Sequence, residues 1–186
     1  DGSLQYFGEA GENLGQLNYP FMAATAAGGD LLVTDVLNGR VQVFSDAGRP
    51  VQAIGSYGVD VGNLYRPKGV AVDASGKVFV SDGTLGVVQV FRDTGLVIDV
   101  VRDAAGQPLR LDTPSGLTFD REGFLYVVEL GASRVRKFKL TATAIAAPAA
   151  PGRAAAAGPA AGKQRACTAC HVEWMEPIAS GVPTPL

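Results

Sequence analysis

The chain has 186 residues, enough for one domain with a sizeable core plus a tail, and its 16 Lys and Arg nearly cancel its 18 Asp and Glu. No basic block is available to neutralise phosphates, so nucleic acid is not a predicted partner. No apolar run reaches the length of a membrane-spanning helix, so no transmembrane segment is expected. The first residues, Asp1-Gly2-Ser3-Leu4, carry neither an initiator Met nor a charged-then-apolar leader, and read as the start of a mature, processed or truncated chain.

An internal repeat dominates the chain as far as residue 140. Pro20, Pro67 and Pro114 are each 47 residues apart. The same step relates Gly29 to Gly76 and Gly123, Asp35 to Asp82 and Glu129, Val41 to Val88 and Val135, and Phe44 to Phe91 and Phe138. Five columns in register over three copies mark a repeat architecture. In the second copy, strands are predicted over 69–73, 78–82, 87–91 and 96–100. They are short β-branched runs separated by Gly, Asp and Ser turns such as Ala74-Ser75-Gly76-Lys77 and Arg92-Asp93-Thr94-Gly95. Four antiparallel strands in a unit of this length predict one propeller blade.

The run Leu31-Leu32-Val33-Thr34-Asp35-Val36-Leu37-Asn38-Gly39-Arg40-Val41-Gln42-Val43-Phe44 resembles the NHL repeat, with its strand, Asp, Asn-x-Arg turn and Val-x-x-Phe strand. The third copy, Leu125 to Glu129 and Ser133 to Phe138, keeps the pattern with Glu in place of Asp. The second departs from it, with Val87 where the others have Arg40 and Arg134. Over residues 1–140 the resemblance implies an all-β, NHL-like β-propeller, in this family usually of about six blades. Lyases and lactonases among such propellers place His or acidic metal ligands at the hub. Residues 1–140 contain no His, which disfavours metal-assisted hydrolysis here. The repeated acids Asp35, Asp82 and Glu129 are expected to fix the turn between the second and third strands.

The chain accounts for about three blades and part of another. Leu4 to Gly8 and the segment through Leu17 resemble the last strand of a blade and its exit loop, as in Ala53 to Leu64, while the third copy lacks a clear fourth strand. Three blades do not close a ring. Either the sequence is the C-terminal part of a longer chain, or two copies close one ring by exchanging strands as a homo-oligomer.

Residues 141–162 contain 12 Ala, 3 Pro and 3 Gly and are expected to be a semi-flexible linker, since Pro148, Pro151 and Pro159 interrupt every helical window. Residues 163–186 follow as a short tail.

That tail contains Cys167-Thr168-Ala169-Cys170-His171, with both Cys and the one His of the chain. The arrangement reads as attachment of one covalent haem c: two thiols form thioethers to the porphyrin vinyl groups, and the imidazole of His171 is the axial ligand of the iron. Zinc needs four ligands for a closed site and finds three at most. Met175 is the candidate second axial ligand within the tail, although on a helix it would share the proximal side with His171. Met22, an unliganded position, and a His or Met from a partner chain are the alternatives. About twenty-four residues cannot wrap a haem, so its faces need cover from the propeller, another subunit or neighbouring haems. Trp174, beside the anchor, suits either stacking on the haem or an interface.

The expected function is therefore that of an electron-transfer subunit rather than an enzyme, with the propeller as docking module in a larger redox assembly of cytochrome subunits or other redox proteins. A periplasmic or extracellular location is expected, since haem c is attached on the oxidising side of the bacterial membrane. The alternative is a protein-interaction propeller whose tail Cys and His bind zinc or form a disulfide.

Overall fold

The computed structural model describes residues 4–140, which lie within a unit spanning Asp1–Ala149. The expected boundary near 140, the linker 141–162 and the tail 163–186 lie outside the described residues. Thirteen strands and no helix are present in the described part. The first two, β1 (Glu9–Ala10) and β2 (Gln16–Leu17), form a small parallel pair in the segment that precedes the first blade.

The repeat then sets the architecture. The first blade comprises β3 (Pro20–Thr25), β4 (Leu31–Asp35), β5 (Arg40–Phe44) and β6 (Pro50–Ile54). The second comprises β7 (Pro67–Val72), β8 (Val78–Asp82), β9 (Val87–Phe91) and β10 (Val97–Val100). The third has β11 (Pro114–Phe119), β12 (Phe124–Glu129) and β13 (Arg134–Lys139). Each sheet is an antiparallel meander with strands in chain order, as short Asp- and Gly-containing turns require. Asp73 shows how such a turn is held: its carboxylate accepts from the backbone N–H of Ser75 at 2.8 Å and of Lys77 at 2.9 Å. The repeated prolines open β3, β7 and β11. In each the register with the next strand shifts within three residues of the proline, the bulge expected where a strand starts on a residue without an N–H.

The sheets pack face to face. Between the first and second lie Leu32, Val41, Val43, Ile54, Leu64, Val70, Val80 and Phe91. Between the second and third lie Ala71, Phe79, Val88, Val90, Leu117, Leu125 and Val127. The middle sheet is consequently buried on both faces, and every residue of β8 and β9 is buried.

Two hydroxyls fasten the innermost strands to one another. Thr34 Oγ1 accepts from the Met22 N–H at 2.9 Å and donates to the Lys68 carbonyl of the next sheet at 3.0 Å. One repeat later, Ser81 Oγ accepts from Gly69 N–H at 2.8 Å and donates to the Ser115 carbonyl at 2.6 Å. Gly69 is required here, because a Cβ would run into that same carbonyl.

Phe79 is fully buried and meets Phe119 edge-on, with ring centroids 5.0 Å apart. Phe79→Ala would remove that pair and leave a cavity between the second and third sheets. We expect it to lower the unfolding free energy by about 4 kcal/mol, read from the urea midpoint; a loss under about 1 kcal/mol would show that these sheets do not depend on each other.

Candidate functional site

The sequence candidates for cofactor binding, Cys167, Cys170, His171 and Met175, lie outside the described residues, as does Trp174. The remaining candidates are the repeated acids, and these are described in full.

Asp35, Asp82 and Glu129 end β4, β8 and β12, and all three are buried. Each ties the segment leading into the innermost strand to the turn between the second and third strands. Asp35 accepts from the Asn18 N–H at 2.6 Å, Asn38 Nδ2 at 2.8 Å and Arg40 Nε at 2.9 Å. Asp82, whose blade has Val87 in place of the arginine, accepts from four backbone N–H groups. These are Tyr65 at 2.7 Å, Arg66 at 2.8 Å, Thr84 at 3.1 Å and Leu85 at 2.9 Å. Glu129 accepts from the Asp112 N–H at 2.8 Å and Arg134 Nε at 2.6 Å, with Arg136 Nε 3.7 Å away. Arg134 holds the Glu129 carboxyl below its ordinary range, against the opposing effect of burial. The oxygens of these acids are engaged by backbone N–H groups and, at Asp35 and Glu129, by the Asn38, Arg40 and Arg134 side chains as well. Among the described residues, no group of three or more His, Cys, Asp or Glu side chains could hold a metal ion. Met22 sits at the inner strand, its Cε 3.8 Å from the place of a Cβ on Gly116.

The same end of the sheets gathers a set of aromatic and cationic side chains that sequence reading did not single out. Lys68 Nζ lies 4.4 Å from the Phe21 ring centre and 5.8 Å from that of Tyr19. Arg66 lies 4.7 Å from the Tyr65 ring and 5.9 Å from Tyr57, and the two tyrosine rings are 5.3 Å apart. Tyr19, Phe21 and Tyr57 are exposed. The signal for this cluster was faint: Tyr19 and Phe21 flank the aligned Pro20, and Arg66 and Lys68 flank Pro67, so the repeat places them side by side on adjacent blades. Chemically the cluster offers flat apolar surface and positive charge. A second feature is a groove lined by Val59, Val61, Leu85, Val87 and Pro108 together with Asp60, Gln89, Arg102 and Arg110.

Known structures share the fold. A gluconolactonase from Xanthomonas campestris aligns over 75% of this chain and 42% of its own, with 21% identity and a TM-score of 0.50. Virginiamycin B lyase from Staphylococcus aureus, as a catalytically inactive variant with quinupristin, aligns over 68% of this chain and 43% of its own, with 15% identity and a TM-score of 0.48. An auxiliary nutrient-binding protein from Bacteroides thetaiotaomicron aligns over 62% and 36%, with 13% identity and a TM-score of 0.49. The chain thus spans less than half the length of each. No protein-family model and no curated protein matches it.

The all-β architecture of propeller blades, expected from the repeat, is what the described residues adopt. The expectation that the chain is no enzyme is corrected by the same comparison. The gluconolactonase carries catalysis on this fold, and activity on a propeller belongs to sites placed on the scaffold, so a want of His at the hub gives no ground for excluding it.

The Glu129 network sets a pH dependence. Its carboxyl titrates lower in the folded chain than unfolded, so its stabilisation is complete above the ordinary glutamate value of about 4.3 and is lost as pH falls below it. Glu129→Gln is expected to lower stability at pH 7 by roughly 1–2 kcal/mol, discounted because Arg134 is half exposed. It should also flatten the fall in stability as pH drops below about 4.3, followed by thermal melts; a variant with the parent's acid profile would place that dependence elsewhere.

Proposed function

We propose that the chain is an electron-transfer module that carries one covalent haem c on its tail and uses the propeller as its docking scaffold. The observation that carries this reading is Cys167-Thr168-Ala169-Cys170-His171, which concentrates all the thiol and imidazole of the chain in five residues. The donor set suits the group: two thiols to anchor a porphyrin and one imidazole to bind iron. The haem, when bound, supplies a one-electron couple between ferric and ferrous iron. Cys167 and Cys170 would hold the porphyrin, and His171 would bind its iron. Met175 would be a further candidate within the tail to hold the iron, and thioether ligation would raise the potential relative to imidazole alone.

Electron transfer needs a protein partner held close. The exposed Tyr19, Phe21 and Tyr57 with Arg66 are of the residue types that interfaces favour, and Lys68 adds positive charge beside them. Other redox proteins or cytochrome subunits are the partners this reading implies. Since thioether attachment takes place on the oxidising side of the bacterial membrane, the reading also implies a periplasmic or extracellular protein. Among the described residues, no helix is long and apolar enough to cross a membrane.

The test is an absorption spectrum of the protein from its own source, with the pyridine haemochrome of the denatured chain. A c-type band that stays with the polypeptide after acid–acetone extraction is the expected result, and His171→Ala should shift or abolish the redox couple. A colourless protein, or a voltammogram unchanged in that variant, overturns the proposal and leaves a propeller whose tail thiols bind zinc or pair with each other.

A further inference from the structure

The segments that lead into the first and second blades are two copies of one loop. Ala10 pairs in parallel with Leu17, and one repeat later Tyr57 pairs in parallel with Leu64. Gly11 N–H donates to the Leu17 carbonyl at 3.1 Å, and Gly58 N–H to that of Leu64 at 3.2 Å. Gln16 N–H donates to the Asn13 carbonyl at 3.0 Å, and Asn63 N–H to that of Asp60 at 2.9 Å. A buried glutamine fastens each loop to its blade. Gln42 Oε1 accepts from Gly15 N–H at 2.8 Å while its Nε2 donates to the Gln16 carbonyl. Gln89 does the same with Gly62 N–H at 2.7 Å and the Asn63 carbonyl at 2.5 Å.

The two loops differ in what closes them onto the blade. In the first, Asn38 Nδ2 donates to the Gly11 carbonyl, and Arg40 Nη2 donates to those of Asn13 and Gln16, each at 2.9 Å. In the second, Leu85 and Val87 take the places of Asn38 and Arg40, and neither side chain carries a donor. The acceptors remain: the carbonyls of Gly58, Asp60 and Asn63 are held by the same loop hydrogen bonds as their counterparts. Leu85 and Val87 both line the groove of the middle blade, which has a volume of about 220 Å³. Val59 and Asp60 line it from the loop before that blade and Arg110 from the loop after it, so the first blade stands on one side and the third on the other.

The charges there favour a positive guest. Asp35 and Glu129 each face a guanidinium, whereas the buried Asp82 receives four neutral backbone donors. Asp60 adds a second carboxylate at the groove itself. Arg102 is neutralised by two bonds of 2.8 Å to Asp99. Arg110, whose Nη1 lies 3.4 Å from the Leu85 carbonyl, is the opposing cation.

We infer that this groove binds a small guanidinium on a short apolar stem, the chemistry of free arginine, supplied by a ligand where the first blade supplies its own. The stem lies on Val59, Leu85 and Val87. The planar fork donates to the Asp60 and Asn63 carbonyls, as Arg40 does to those of Asn13 and Gln16, a geometry that suits guanidinium better than ammonium.

Calorimetric titration of the full chain with n-butylguanidinium at low salt is the test. One-site binding is expected, with n-butylammonium weaker. Val87→Arg, which supplies the guanidinium from the chain as the other two blades do, should abolish binding while the far-ultraviolet circular dichroism is kept. Asp60→Asn should weaken binding about threefold, and Arg110→Gln, by removing a like charge, should tighten it by a similar factor. Absence of binding overturns the inference, as does binding that persists in Val87→Arg. Should that variant fail to fold, the two charge variants still decide. Tighter binding in Asp60→Asn, weaker binding in Arg110→Gln, or n-pentanoate bound in place of the cation overturns it equally.

Discussion

Every residue of β8 and β9 is buried, so the middle sheet has no solvent side and neither strand alternates between core and water. A sheet of this kind is stable only between two others, and the rest of the molecule depends on that requirement. Val80 and Phe91 pack towards the first blade while Phe79 and Val88 pack towards the third, so each apolar side chain of a blade is completed by its neighbour. At about 1.5–3 kcal/mol for each large side chain removed from water, these contacts outweigh what the hydrogen-bonded ladders contribute net. The flanks of the outer blades inherit the same composition. Val135 of β13 belongs to a column whose other members, Val41 and Val88, are buried, and among the described residues no strand lies beside it on that edge.

A buried carboxylate in each blade is the second constraint, and its cost is met differently each time. Burying an ionised acid is unfavourable unless its oxygens are fully engaged. Asp35 engages Arg40 and Asn38, Glu129 engages Arg134, and Asp82 manages with four backbone N–H groups alone. The departure at Val87 from the repeat pattern is thereby explained: where the backbone supplies the donors, the arginine is dispensable and an apolar residue can join the core. The same accounting removes these acids from consideration as metal ligands, since their lone pairs already serve the turns.

The propeller and the tail stand in different relations to function. The described blades are a scaffold whose fold is shared with a gluconolactonase, and fold alone names no reaction. What the blades contribute is surface: an aromatic and cationic cluster at one end and a groove on the middle blade. The two Cys and the one His of the chain are confined to residues 167–171.

By itself the sequence determined the period, the blades and their turns. The 47-residue step, the β-branched runs and the Asp–Gly turns are local or periodic signals, and β8 and β9 fall where those signals place them. The Cys167 to His171 motif is equally local, being chemistry written in adjacent residues. Tertiary structure decided the rest. The role of Thr34 and Ser81 as bridges between blades, the backbone solution at Asp82, and the meeting of Lys68 with Phe21 all join residues many positions apart. Leu4 to Gly8 has the pattern of an outer strand but forms no ladder, because a strand needs a neighbour as well as a sequence. Composition specifies which residues can be buried, and only the packing of one sheet on the next decides which of them are.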